Sequence, residues 1–166
     1  MEETAKLLQP GHQSCYVDRA LAERAVKLAL PLLEEAMLNA EYGDSGFLHI
    51  VVLDPGVTPA DGTFERAILY EHSIGDPACW DADYGAYARA KAEVSWRHGR
   101  DSHALQTLAP HLRRRGETPL WGSVALDGIV VGVSGAFPCF DETWAGVVAV
   151  CVRGLAKQRA ARDEAR

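Results

Sequence analysis

Apolar residues recur at helical spacing from residue 21 to residue 37. Leu21, Ala25, Leu28, Leu32 and Ala36 form one row, flanked by Val26, Leu33 and Met37. Asp18 stands where a helix N-cap belongs. Pro31 lacks an N–H, so the pattern predicts a kink or a second helix there, and Gly43 predicts the end of the segment. The period then changes. FLHIVVLDPG, residues 47–56, is a short run rich in β-branched residues and closed by Asp-Pro-Gly, which predicts a buried strand. After the loop TPADG, FERAILYEHS (residues 64–73) predicts a second strand with one wet face.

Asp76-Pro77 punctuates the chain, and from Cys79 to His98 the period is helical again. Trp80, Tyr84, Tyr87, Lys91, Val94 and His98 fall at spacings of three or four, and Gly99 predicts the stop. Residues 101–116 hold a short helix or loop, broken by Pro110 and Gly116. Within LWGSVALDGIVVGVSG, residues 120–135, two strand-like runs flank Asp127-Gly128, a pair suited to a type I′ turn. Asp141 is expected to cap a last helix carrying Trp144, Val147, Val148, Cys151 and Leu155 on one face, with a charged tail that frays after Leu155. Strands in hairpin-like pairs, separated by helices, predict an α+β fold: an antiparallel sheet of four to five strands with helices packed on it. Residues 1–16 read as a flexible arm, 17–158 as one domain and 159–166 as a charged tail.

Composition narrows the function classes. A net charge of −6 argues against a dedicated nucleic-acid or membrane-surface binder, and Arg113-Arg114-Arg115 is a local exception that reads as a solvated loop. The first residues lack the basic and apolar regions of a secretory signal, and no charge-free apolar stretch reaches membrane-spanning length. Cys15, Cys79, Cys139 and Cys151 form no CxxC or zinc spacing, so reduced thiols in a cytoplasmic protein are the expectation.

Two segments carry a family resemblance. DGIVVGVSGAFPCFDETWAG, residues 127–146, resembles the C-terminal signature of the GlcG/HbpS-like (haem-degrading domain) family. There, a hairpin delivers a Val-Ser-Gly turn, here Val133-Ser134-Gly135, followed by an Asp-Glu pair, here Asp141-Glu142. YARAKAEVSWRHGRDS, residues 87–102, is similar to the family's central helix, with Tyr87 four residues before Lys91. Together with the strand at 47–54, the likeness spans roughly residues 20–158. PCF before Asp141 and LDPGVTPADG after the first strand depart from the family pattern. The resemblance implies a profilin-like fold, assembly into a dimer or larger ring, and binding of a small molecule such as haem or another tetrapyrrole.

The candidate chemistry follows. Lys91 among Tyr84 and Tyr87 either snorkels at the core edge or meets an anionic group of a ligand, with Arg100 nearby. Ser134, Asp141 and Glu142 would complete that ligand site. His98 and His103 flank the Gly99-Arg100 turn and are the candidate haem ligands or acid–base groups; His12, His49, His72 and His111 are the other histidines. Cys139 lies just before the last helix, where a thiol can become a nucleophile or simply fill space between Phe137 and Phe140. No GxSxG, Walker A, GxGxxG or HExxH occurs. Three readings stay open: a small-molecule binder acting as an oligomer, with haem as its cofactor or none; a small enzyme acting on a carboxylate-bearing molecule; and an oligomeric scaffold. Trp80, Tyr84 and Tyr87 on one helical stripe would supply a self-association surface.

Overall fold

The computed structural model describes residues 13–166, so His12 and most of the expected arm lie outside the described residues. Asp18 caps α1 (Arg19–Met37), accepting the Leu21 N–H at 2.8 Å. Pro31 sits at an exposed position inside this single helix, where the carbonyl it leaves without a partner can bond to water. The helix ends at Met37, ahead of Gly43. Gly43 instead allows a close approach: a Cβ there would lie 2.9 Å from the Ala136 Cα.

β1 (Leu48–Leu53) is buried along its whole length. The expected second strand divides. Phe64–Ala67 forms a helical turn, α2, because the Thr63 hydroxyl caps it by accepting the Arg66 N–H, and only then does β2 (Ile68–Ile74) begin. β3 (Ser123–Leu126) and β4 (Ile129–Ser134) meet through Asp127 and Gly128, at φ 51° and 82°, the positive values that a type I′ turn needs. The four strands form one open antiparallel sheet in the order β2-β1-β4-β3, and helices pack on it in an α+β fold.

Side-chain alternation sorts the sheet into two faces. Leu48, Ile50, Val52, Val131 and Val133 join the core formed with α1 and with α5 (Pro138–Glu164). Val51, Leu53 and Val130 face α3 (Tyr84–His98) through Ala88 and Ala92. Gly132 sets that second distance: a Cβ on it would lie 2.5 Å from the Ala88 carbonyl oxygen and 2.7 Å from the Ala92 Cβ.

Three further helix boundaries differ from the sequence expectation. α3 starts at Tyr84 under an Asp83 cap, not at Cys79, and Trp80 follows a separate 3-10 turn, Pro77–Cys79, capped by Asp76. The aromatic stripe therefore does not form: Tyr84 is buried against Phe47 and Trp80, while Tyr87 points to solvent. α5 starts at Pro138, whose missing N–H is tolerated at the first helical position, so Asp141 lies inside the first turn instead of capping it. The same helix runs on to Glu164, and Arg159 bonds Asp18 at 2.8 Å, so the tail is helical where fraying was expected. No helix of the described residues is long and apolar enough to cross a membrane.

Candidate functional site

Ala88, Lys91, Ala92 and Ser95 share the side of α3 that faces the sheet, all of them buried. Ala88 and Ala92 are short, whereas Lys91 reaches the last residues of β4. Its ammonium lies 3.1 Å from the Val133 carbonyl oxygen, 3.2 Å from Ser134 Oγ and 2.7 Å from Asp141 Oδ2. An ammonium has three hydrogens, so these acceptors match all of them. The other Asp141 oxygen accepts the Ala136 N–H at 2.8 Å. Burial pushes the Asp141 carboxyl up to about 6, against the opposing charge and hydrogen bond of Lys91. Gly122 closes the site from above at φ 140°, where a Cβ would lie 2.5 Å from the Asp141 Cβ.

A serine network backs this pair. Ser123 Oγ donates to the Lys91 carbonyl at 2.6 Å and meets Ser95 Oγ at 2.7 Å. Ser102, which opens α4 (Ser102–Leu108), accepts the Gly122 and Ser123 N–H groups. The structure thus brings together Lys91, Ser134 and Asp141 of the sequence-derived site, and every ammonium hydrogen is already bonded within the chain. The arrangement is a clamp joining α3, β4 and α5.

The other nominated residues lie apart from it. Tyr84 donates to Asp81 Oδ1 at 2.5 Å, and burial, then the Asp81 hydrogen bond, raise its hydroxyl pKa. Arg100 and Cys139 are exposed. His98 Nε2 lies 2.9 Å from Glu117 Oε1, and Glu117 also accepts the Arg114 N–H at 2.8 Å, so His98 holds the loop after α4 in place. His103 stacks on Trp121 with centroids 3.9 Å apart. Glu142 Oε2 is buried without a hydrogen-bond partner; burial, then Asp101, push its carboxyl pKa up.

A different cluster occupies the open side of the sheet. α3 covers β1, β4 and β3 but stops short of β2, leaving a groove of about 510 Å³ between β2 and α3. Phe64, Ile68, Ala86 and Ala90 are its apolar lining, and Glu65, Glu71, Glu93 and Arg89 its charged lining. Arg89 grips Glu71 with two bonds, Nε to Oε1 at 2.7 Å and Nη2 to Oε2 at 2.8 Å. Behind Glu71 lies His49, with Nε2 at 3.1 Å from Glu71 Oε1 and Nδ1 at 2.8 Å from Ser73 Oγ. Burial pushes the Glu71 carboxyl up, but the hydrogen bonds from Arg89 and His49 outweigh it and hold the pKa below the ordinary value. An ionised Glu71 can only accept, so Nε2 presents a proton to it, and in the neutral ring Nδ1 is then the nitrogen free to accept from the Ser73 hydroxyl. The Trp80 ring meets the His49 ring edge-on at 5.6 Å, and the buried Trp80 Nε1 has no hydrogen-bond partner.

Sequence reasoning left His49 among the remaining histidines and did not connect it with Glu71 and Ser73. Glu71 and Ser73 show the two-residue spacing of one strand face, but the link to His49 depends on the register His49↔Ser73.

Among the described residues no group of three or more His, Cys, Asp or Glu side chains is placed to hold a metal ion. Haem does not fit the groove. None of its lining residues is a histidine, and its three glutamates would oppose the propionates. No protein-family model matches the chain, and no curated protein matches it either.

Proposed function

We propose that this chain is a small-molecule-binding protein of the GlcG/HbpS-like type, self-associating, with its ligand in the groove between β2 and α3. The observation that carries the reading is the groove itself: a drug-sized volume with an apolar lining and a rim of paired charges. The ligand class that suits it has an apolar body for Phe64 and Ile68 and a cationic or hydrogen-bond-donating group for Glu65, with Glu93 already held by Arg97. Lys91 serves this reading indirectly, by fixing the helix that forms one wall.

Ala90→Trp tests it, because an indole there fills the groove while Ala90 is not part of the core. Arylalkylamines such as tryptamine should raise the melting temperature of the wild type and leave that of Ala90→Trp unchanged. Equal shifts in both proteins would remove the groove from consideration.

A second reading, enzymatic, is favoured by the Ser73–His49–Glu71 relay. His49 Nδ1 is placed to take the Ser73 proton as Oγ bonds an acyl carbon, and to return it to the departing group. A fluorophosphonate that labels Ser73 in the wild type, and not after His49→Gln, supports this reading; an unlabelled Ser73 rules it out.

A further inference from the structure

The outer side of the α1/α5 pair carries an ordered stripe. Arg24, Leu28, Leu32 and Glu35 follow one another along α1 at spacings of three or four, which places them on one flank of the helix. Leu28 and Leu32 are 61% and 51% exposed, large values for leucines next to a packed seam. Arg24 borders a hollow shared with Arg159, Arg162, Asp163 and Arg166 of α5, so that end of the face is basic on balance. Glu35 and Leu32 border a second hollow with Tyr42 and Trp144, at the other end of the same seam. Val150 of α5, 51% exposed, adds to the apolar area.

The order cation, leucine, leucine, anion is its own complement when reversed. A second copy of α1 laid antiparallel, about a two-fold axis at the level of Leu30, sets Leu28 against the partner's Leu32 and Arg24 against the partner's Glu35. The basic hollow of each copy then faces the acidic end of the other. Closed two-fold assembly demands this self-complementarity, whereas an unrelated partner would not.

We infer that the α1/α5 face is a two-fold interface between copies of this chain, centred on Leu28 and Leu32 and oriented by Arg24 and Glu35. This deepens the self-association part of the reading above and moves it away from Trp80, Tyr84 and Tyr87. It is tested without any ligand, so its failure leaves the groove untouched.

Sedimentation equilibrium of the full chain is the experiment. The wild type should give twice the chain mass across the micromolar range. Leu28→Glu/Leu32→Glu should give the single-chain mass with an unchanged circular dichroism spectrum, since both leucines are on the surface. Arg24→Glu and Glu35→Arg should each weaken association about tenfold, because each places like charges together at two symmetric points. The double variant Arg24→Glu/Glu35→Arg should recover most of the loss. A wild type that remains a single chain overturns the inference. So does a dimer indifferent to the leucine changes, or a double charge variant no tighter than the single ones.

Discussion

Gly122 and Asp141 touch so closely that the glycine has no room for a side chain: a Cβ at Gly122 would lie 2.5 Å from the Asp141 Cβ and 3.2 Å from the Lys91 ammonium. The backbone at Gly122, at φ 140°, therefore covers the buried ion pair that ties α3 to α5. Gly122→Ala should cost about 3 kcal/mol through strain and collision together, read as a lower midpoint in urea unfolding. A midpoint equal to that of the wild type would mean that the clamp is looser than described.

Removing one partner of the pair should cost more than removing both. Asp141→Leu strands the ammonium, and Lys91→Met strands the carboxylate, each costing about 3–5 kcal/mol. Lys91→Met/Asp141→Leu should cost clearly less than the sum of the single changes, because no charge is left buried. Urea denaturation of the three variants makes the comparison. Additive losses would show that the two residues do not act as a pair.

The pair also has a pH signature. Asp141 titrates at about 6 in the folded chain against 3.8 ordinarily, so the folded state holds this proton more tightly than the unfolded state. Its contribution to stability is fully present below the unfolded value and is lost as pH rises through about 6. The stability of the wild type relative to Asp141→Asn should therefore grow by about 2–3 kcal/mol between neutral pH and pH 4, since each tenfold gain in proton affinity on folding is worth roughly 1.4 kcal/mol. Glu71 and Glu117, both held below their ordinary value, act in the opposite direction in both proteins and cancel from the difference. A gap that shrinks on acidification would contradict the assignment.

His98 is expected to act through Glu117. His98→Ala should speed hydrogen exchange at the Arg114 amide, which donates to Glu117, and leave the α3 amides near Lys91 protected. Unchanged exchange at Arg114 would separate the histidine from the loop.

The fold was largely legible because its strongest signals are local. The unbroken apolar run around Ile50 announces a strand covered on both faces, and Asp127-Gly128 announces its turn. Boundaries were harder where two caps compete: Asp76 and Asp83 each start their own turn, which removes Trp80 from α3. The meeting of Lys91, Ser134 and Asp141 was visible as three separate residues, but their mutual saturation was not, since it depends on how far α3 sinks against Gly132. The His49–Glu71–Ser73 relay was hidden for a related reason. Strand register, not spacing along the chain, brings His49 to Ser73.

Under the proposed function, ligand binding belongs to the β2/α3 groove and Lys91 is part of the framework. Amide chemical-shift mapping during a tryptamine titration tests it most directly. The predicted perturbations cluster at Phe64, Ile68, Ala86 and Ala90 and are absent around Lys91, Ser134 and Asp141. Perturbations centred on Lys91, Ser134 and Asp141, with the groove residues unmoved, would contradict the account.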